Sequence, residues 1–141
     1  MPEEGWAPLA EELAADVRRV ADRLRTLSAA RLAGPPAPPE DGMPPYPSRA
    51  QAARGAAQAM ADAAAALESG PAVGWVERRS LPELADLAVG EQVAVTGHDL
   101  LAALALVPPD EQVWFGPHDP APARLGVEQA ARLLADVRRR L

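Results

Sequence analysis

The sequence predicts an all-α chain, a four-helix bundle with two proline-rich connections. Three observations carry that expectation. Large apolar residues recur at alternating spacings of three and four, which places them on one face of a helix. Alanine, the residue of highest intrinsic helix propensity, supplies 32 of the 141 residues. The 16 prolines concentrate between the periodic stretches, where a helix cannot continue.

The first helix is expected over residues 8–32. Leu13, Val17, Val20, Leu24 and Leu27 are spaced 4, 3, 4 and 3, so they share a face. Pro8 suits the first turn, and Glu11 and Glu12 favour the positive end of the helix dipole. Gly34–Pro35 marks the latest stop. An earlier end near Thr26, with Ser28 capping one extra turn, fits the same residues. Residues 35–47 then hold seven prolines, a composition that favours extended polyproline II. This segment reads as a stiff strap between helices, or as bait for a proline-recognising partner.

Ser48 and Gln51 have the S-x-x-Q spacing of a capping box and open a helix over 48–69 that stops at Gly70–Pro71. Its seam, Ala53, Ala56, Met60, Ala63 and Leu67, repeats the 3, 4, 3, 4 rhythm. Alanine buries little surface, so this helix stabilises the fold only by lying close to a neighbour. Ser80 and Glu83 form a second capping box with Pro82 in the first turn, predicting a helix over 81–107 broken near Gly90. Val93, Leu100, Leu104 and Val107 supply its face, and Pro108–Pro109 ends it. Residues 108–126 form the second proline-rich connection. The last helix, 126–141, reads Val127, Ala130, Leu134, Val137, Leu141, with Arg138, Arg139 and Arg140 at its negative end.

The length suits one domain, residues 1–141, with a single core. Leu, Val and Phe, with Ile absent, make 29 residues, about 21% of the chain and just above the roughly 20% that signals disorder. The four seams decide in favour of folding. Cysteine is absent, which excludes a disulfide framework, a thiolate zinc site and a cysteine nucleophile. No apolar stretch is long enough to span a bilayer, and no basic leader precedes one. No membrane association is expected, and a cytoplasmic protein is. A net charge of −6 argues against nucleic acid, which is bound by basic surfaces. Lysine, isoleucine and asparagine, whose codons are AT-rich, are also absent. That points to a high-GC genome and makes the 14 arginines a composition bias rather than a phosphate signal.

Chemistry-bearing residues are few. Each histidine precedes an aspartate, in His98–Asp99 and His118–Asp119. Neighbours on a helix point about 100° apart, so one such pair is a poor chelate and no metal site is expected. The alternative joins His98 and His118 with Glu91 or Glu111. The candidate ligand contacts are His98, Asp99, Arg78 and Arg79, the arginine pair being suited to clamp an anion. Trp6, Tyr46, Trp75, Trp114 and Phe115 fall outside the seams. They either close the ends of the bundle or, for Trp114 and Phe115 above all, anchor a partner. Ser28, Ser48 and Ser80 read as helix caps, and Asp16, Asp22, Asp62 and Asp136 as solvated faces. No nucleophile elbow, Walker loop, dinucleotide fingerprint or H-E-x-x-H is present.

The ten residues from Val95 to Leu104, VTGHDLLAAL, resemble the T-V-x-D-L-x-x-H-L segment of DinB-like proteins. That superfamily includes mycothiol-dependent isomerases and related transferases of high-GC bacteria. The resemblance implies a four-helix bundle in which three histidines hold a divalent metal, with a metal- or thiol-cofactor-dependent activity near His98. The family's histidine falls at Ala103 here and the chain has two histidines in all, so the implied metal centre would be missing or rebuilt. The residues as a whole predict a non-catalytic protein with no cofactor that works through protein–protein contacts. Its expected partner is itself, as a homodimer, or another protein. The alternative is a DinB-like enzyme or small-ligand carrier with a pocket near His98.

Overall fold

The computed structural model describes residues 5–38, 46–70, 75–78 and 80–141. It is mostly helical, with α1 at Ala7–Thr26, α2 at Ala29–Ala33, α3 at Arg49–Ser69, α4 at Val89–Ala103 and α5 at Ala123–Arg140. Each long helix packs on two others, α1 and α3 both lying against α4 and α5. The predicted seams meet in the middle: every seam residue of α1, α3, α4 and α5 named above is buried except Leu141, which is partly covered. None of the described helices is long and apolar enough to cross a membrane.

The first helix stops at Thr26, and Ser28 Oγ accepts from Arg31 N at 3.2 Å to start the short α2. Ser48 caps α3 in the same way through Gln51 N at 3.1 Å. Gly70 ends α3 with φ +67°, a backbone region that side chains disfavour. Glu11 and Glu12 fall in the second turn of α1, which begins at Ala7 and has no acidic residue in its first turn.

Helix α3 buries eight alanines along with Met60 and Leu67. With so little side chain between them, its neighbours must approach closely, and glycines mark two close approaches elsewhere in the core. A Cβ on Gly97 of α4 would stand 2.6 Å from both γ-carbons of Val17 on α1. Valine has one favoured rotamer in a helix and cannot swing aside. Gly97→Ala is therefore expected to lower stability by about 1–3 kcal/mol through overpacking. The test is the urea midpoint at constant slope; an unshifted midpoint would mean that α1 and α4 separate without cost.

Three expectations are corrected. Residues 81–85 are not helical: only the 3-10 turn Asp86–Ala88 precedes α4, and Ser80 caps nothing. The backbone of this lead-in bonds to side chains of neighbouring helices instead of to itself. Leu81 N donates to Gln58 Oε1 at 2.7 Å, Pro82 O accepts from Gln92 Nε2 at 2.9 Å, and Leu84 O accepts from Arg54. Gly90 does not break the helix. It lies buried in the first turn of α4, where a Cβ would meet Ala21 O of α1 at 3.2 Å. The second connection also holds a hairpin, β1 (Gln112–Trp114) antiparallel to β2 (Pro120–Pro122), with Val113 opposite Ala121. Three-residue strands carry too little alternation to read from sequence, and Val113, fully buried, pins this one against the helices. The last helix consequently starts at Ala123 rather than 126.

Candidate functional site

His98 is exposed on α4, at a groove of about 260 Å³ between α1 and α4 whose walls include Arg18, Asp22 and Arg25. His118 is exposed in the turn of the hairpin, whose strands pack on α3 and α5. The two histidines thus lie over different helix pairs. Among the described residues no group of three or more histidines, aspartates or glutamates could hold a metal. The joint His98–His118 site is not assembled. Asp99 is exposed beside His98, and Ala103, where the DinB-like pattern carries a histidine, is buried in the core.

The remaining candidates are structural ties. Arg78 donates to the carbonyls of Val76 and of Trp114, the latter at 3.1 Å, and so fastens the segment before α4 to β1. Arg79 lies outside the described residues. Trp114 is partly covered, and the Phe115 ring occupies the space that a side chain on Gly126 of α5 would fill. Trp6 is buried at 1% exposure and donates from Nε1 to Val107 O at 3.0 Å, closing one end of the core. Trp6 and Phe115 thus pack on this chain's own helices.

Asp136, read from sequence as a solvated face, is inside, and so is Arg140 from the arginine run at the helix end. Asp136 is 1% exposed and Arg140 is 4% exposed, bonded to one another at 3.1 Å. Arg140 also donates from Nε to Ala37 O at 2.9 Å, while Ala37 N donates back to Arg140 O at 3.0 Å. Its guanidinium lies 5.7 Å from the centroid of the Tyr46 ring, within reach of a cation–π attraction. Both described ends of the proline strap are thereby held on the last turn of α5. Arg25 pairs with Asp22 and Glu91 at the surface, where ion pairs contribute little. Glu91 accepts from Arg25 at 2.7 Å, and that hydrogen bond holds the Arg25 guanidinium above its ordinary value.

The strap clamp leads to a cleft that no motif announced. It lies between α3 and the lead-in to α4, encloses about 400 Å³, and is walled by Tyr46, Arg54, Gln58, Leu81, Pro82 and Gln92. Gly55 lets the Tyr46 hydroxyl settle on α3, since a Cβ there would be 2.7 Å from it. Arg54 pairs with Asp86 at 2.9 Å, and Gln58 reaches Asp62 at 2.9 Å. A signal for this cleft does exist in the sequence: Gln51, Arg54, Gln58 and Asp62 form a polar row at 3, 4, 4 spacing on an otherwise alanine helix. Such a row reads by default as a solvated face. Here it is half-buried, with the lead-in to α4 lying over Arg54 and Gln58. Comparison with protein-family models, curated proteins and solved structures finds no match to this chain.

Proposed function

We propose that the chain is a four-helix bundle acting through protein–protein contacts, as a homodimer formed by the outer face of α4. The observation that carries this reading is the distribution of exposed large apolar side chains. Of six among the described residues, Val95 lies on α4, Leu87 and Leu106 in the 3-10 turns at its two ends, and Leu84 in the lead-in before it. Leu87, Val95 and Leu106 are 68%, 57% and 59% exposed. On α4, Val95 is spaced with Glu91, His98 and Ala102 along one side, and Leu87 and Leu106 stand at the two ends of that helix; exposed apolar surface of this kind marks interaction sites.

A second copy suits this stripe better than an unlike partner because the stripe complements itself. Turned antiparallel about a two-fold axis, Leu87 of one copy meets Leu106 of the other, and the Val95 and His98 turns of both lie at the centre. Such a closed contact is the commonest oligomeric arrangement, and antiparallel helix dipoles favour it. Next to the stripe, an apolar groove of about 270 Å³ runs past Leu81, Pro82 and Leu84. On this reading His98 and Asp99 belong to the interface, and Trp114 and Phe115 stay within their own protomer.

Light scattering coupled to size exclusion tests the proposal. The chain is expected to elute as a dimer whose mass falls on dilution. Val95→Glu and Leu87→Glu are each expected to give a monomer with unchanged helix content, and Trp114→Ala to leave the dimer intact. A monomeric parent protein, or a dimer insensitive to both charge insertions, would overturn it.

A further inference from the structure

In the dimer proposed above, the α4 stripe has α1 at its flank. His98 stands both on the stripe and at the groove of about 260 Å³ between α4 and α1, and Arg18, Asp22 and Arg25 line the α1 side of that groove. Spaced 4 and 3, these three residues share a face of α1, and all are exposed. Arg25 is engaged by Glu91 at 2.7 Å and by Asp22 at 3.1 Å. The Arg18 guanidinium pairs with no described residue, and the Asp22 carboxylate with none beyond Arg25. Charge beside an apolar stripe is the ordinary make-up of an interface, an apolar centre with a polar rim.

Two contacts fix how α1 runs past the stripe. Arg25 meets Glu91, and Gly97 lies against Val17, so α1 is antiparallel to α4. Residues 17–20 therefore stand beside the middle of the stripe, halfway between Leu87 and Leu106. A two-fold axis lying in the interface and perpendicular to α4 reverses the helix but keeps each flank on its own side. The α1 flanks of the two copies then adjoin, with Arg18 at the axis and Asp22 within about one helical turn of it. We propose, resting on the dimer reading, that Arg18 of each copy pairs with Asp22 of the other, and that these two crossed pairs select a second copy of this chain, held antiparallel. A parallel dimer would instead set the α1 flank of one copy against the opposite flank of the other. That flank carries Asp99, one turn on from Val95 and Thr96 of the apolar groove.

Light scattering coupled to size exclusion, at pH 8 where histidine is neutral, compares the full chain with its Arg18→Glu and Asp22→Arg variants. Each single change gives positions 18 and 22 the same charge in both copies. It is expected to weaken the dimer by about tenfold or more, with helix content unchanged by circular dichroism. Near 1 M salt, where the screening length is about 3 Å, the difference from the parent is expected to vanish. The double variant is expected to dimerise like the parent. The two single variants, mixed, are expected to form a heterodimer, resolved by mass in native mass spectrometry, because one flank is then acidic at both positions and the other basic. A monomeric parent would overturn the dimer and the crossed pairs together. A dimeric parent whose single variants dimerise equally well, or a mixture that stays monomeric, would overturn the pairs and leave the stripe standing. Recovery of Arg18→Glu by Asp99→Arg in place of Asp22→Arg would overturn them in favour of the parallel arrangement.

Discussion

Replacing Arg140 by methionine is expected to lower the unfolding free energy by about 3–5 kcal/mol, the cost of removing one partner of a buried ion pair. The carboxylate of Asp136, 1% exposed, would be left without its closest cation. The same change deletes the hydrogen bond to Ala37 O and the guanidinium beside the Tyr46 ring, which together hold the strap to α5. Removing both charges is a different matter. Asp136→Leu combined with Arg140→Met is expected to recover most of the loss, since no unpaired carboxylate remains in the core. Urea unfolding of the single and double variants measures the difference. A single-variant loss below about 1 kcal/mol would mean that the pair behaves like one at the surface.

Trp6→Ala is expected to cost a similar amount, about 3–5 kcal/mol. The indole is buried just before α1 and spans to the end of the α4 segment through its bond to Val107 O at 3.0 Å. In a core built largely of alanine it supplies bulk that no neighbour can replace. Trp6→Phe keeps most of that volume but orphans the Val107 carbonyl, so a smaller loss of about 1–3 kcal/mol is expected. Equal stabilities for the phenylalanine variant and the parent would assign the whole effect to packing and none to the hydrogen bond. Domains of this size hold only about 5–15 kcal/mol of stability, so either large substitution removes a substantial part of it.

Much of the helical layout was legible from local pattern. The 3, 4 spacing of Leu13, Val17, Val20 and Leu24, and the caps at Ser28 and Ser48, depend on residues within a turn or two of each other. The lead-in at 81–85 was misread for a related reason. Its S-x-x-E box and Pro82 are sound local signals, yet Gln58, Gln92 and Arg54, distant in sequence, compete for the same backbone groups and win. The cleft was invisible on the same ground. Its polar row on α3 looks like any solvated face until the lead-in lies over Arg54 and Gln58.

By itself the sequence determined which faces of the long helices are apolar, where α3 ends, and that α3 must pack closely, while for α1 it expected a helix to 32 and offered the observed stop near Thr26 as the alternative. These follow from periodicity and propensity, which are properties of neighbouring residues. Only the tertiary structure decided that Asp136 and Arg140 are buried while His98 is exposed, that Trp6 closes the core, and that Arg54 and Gln92 share a cleft. A charge at a helix end has the same local sequence whether water or a proline strap lies over it. Burial is a relation between distant segments, so its consequences for pairing and binding appear only once those segments meet.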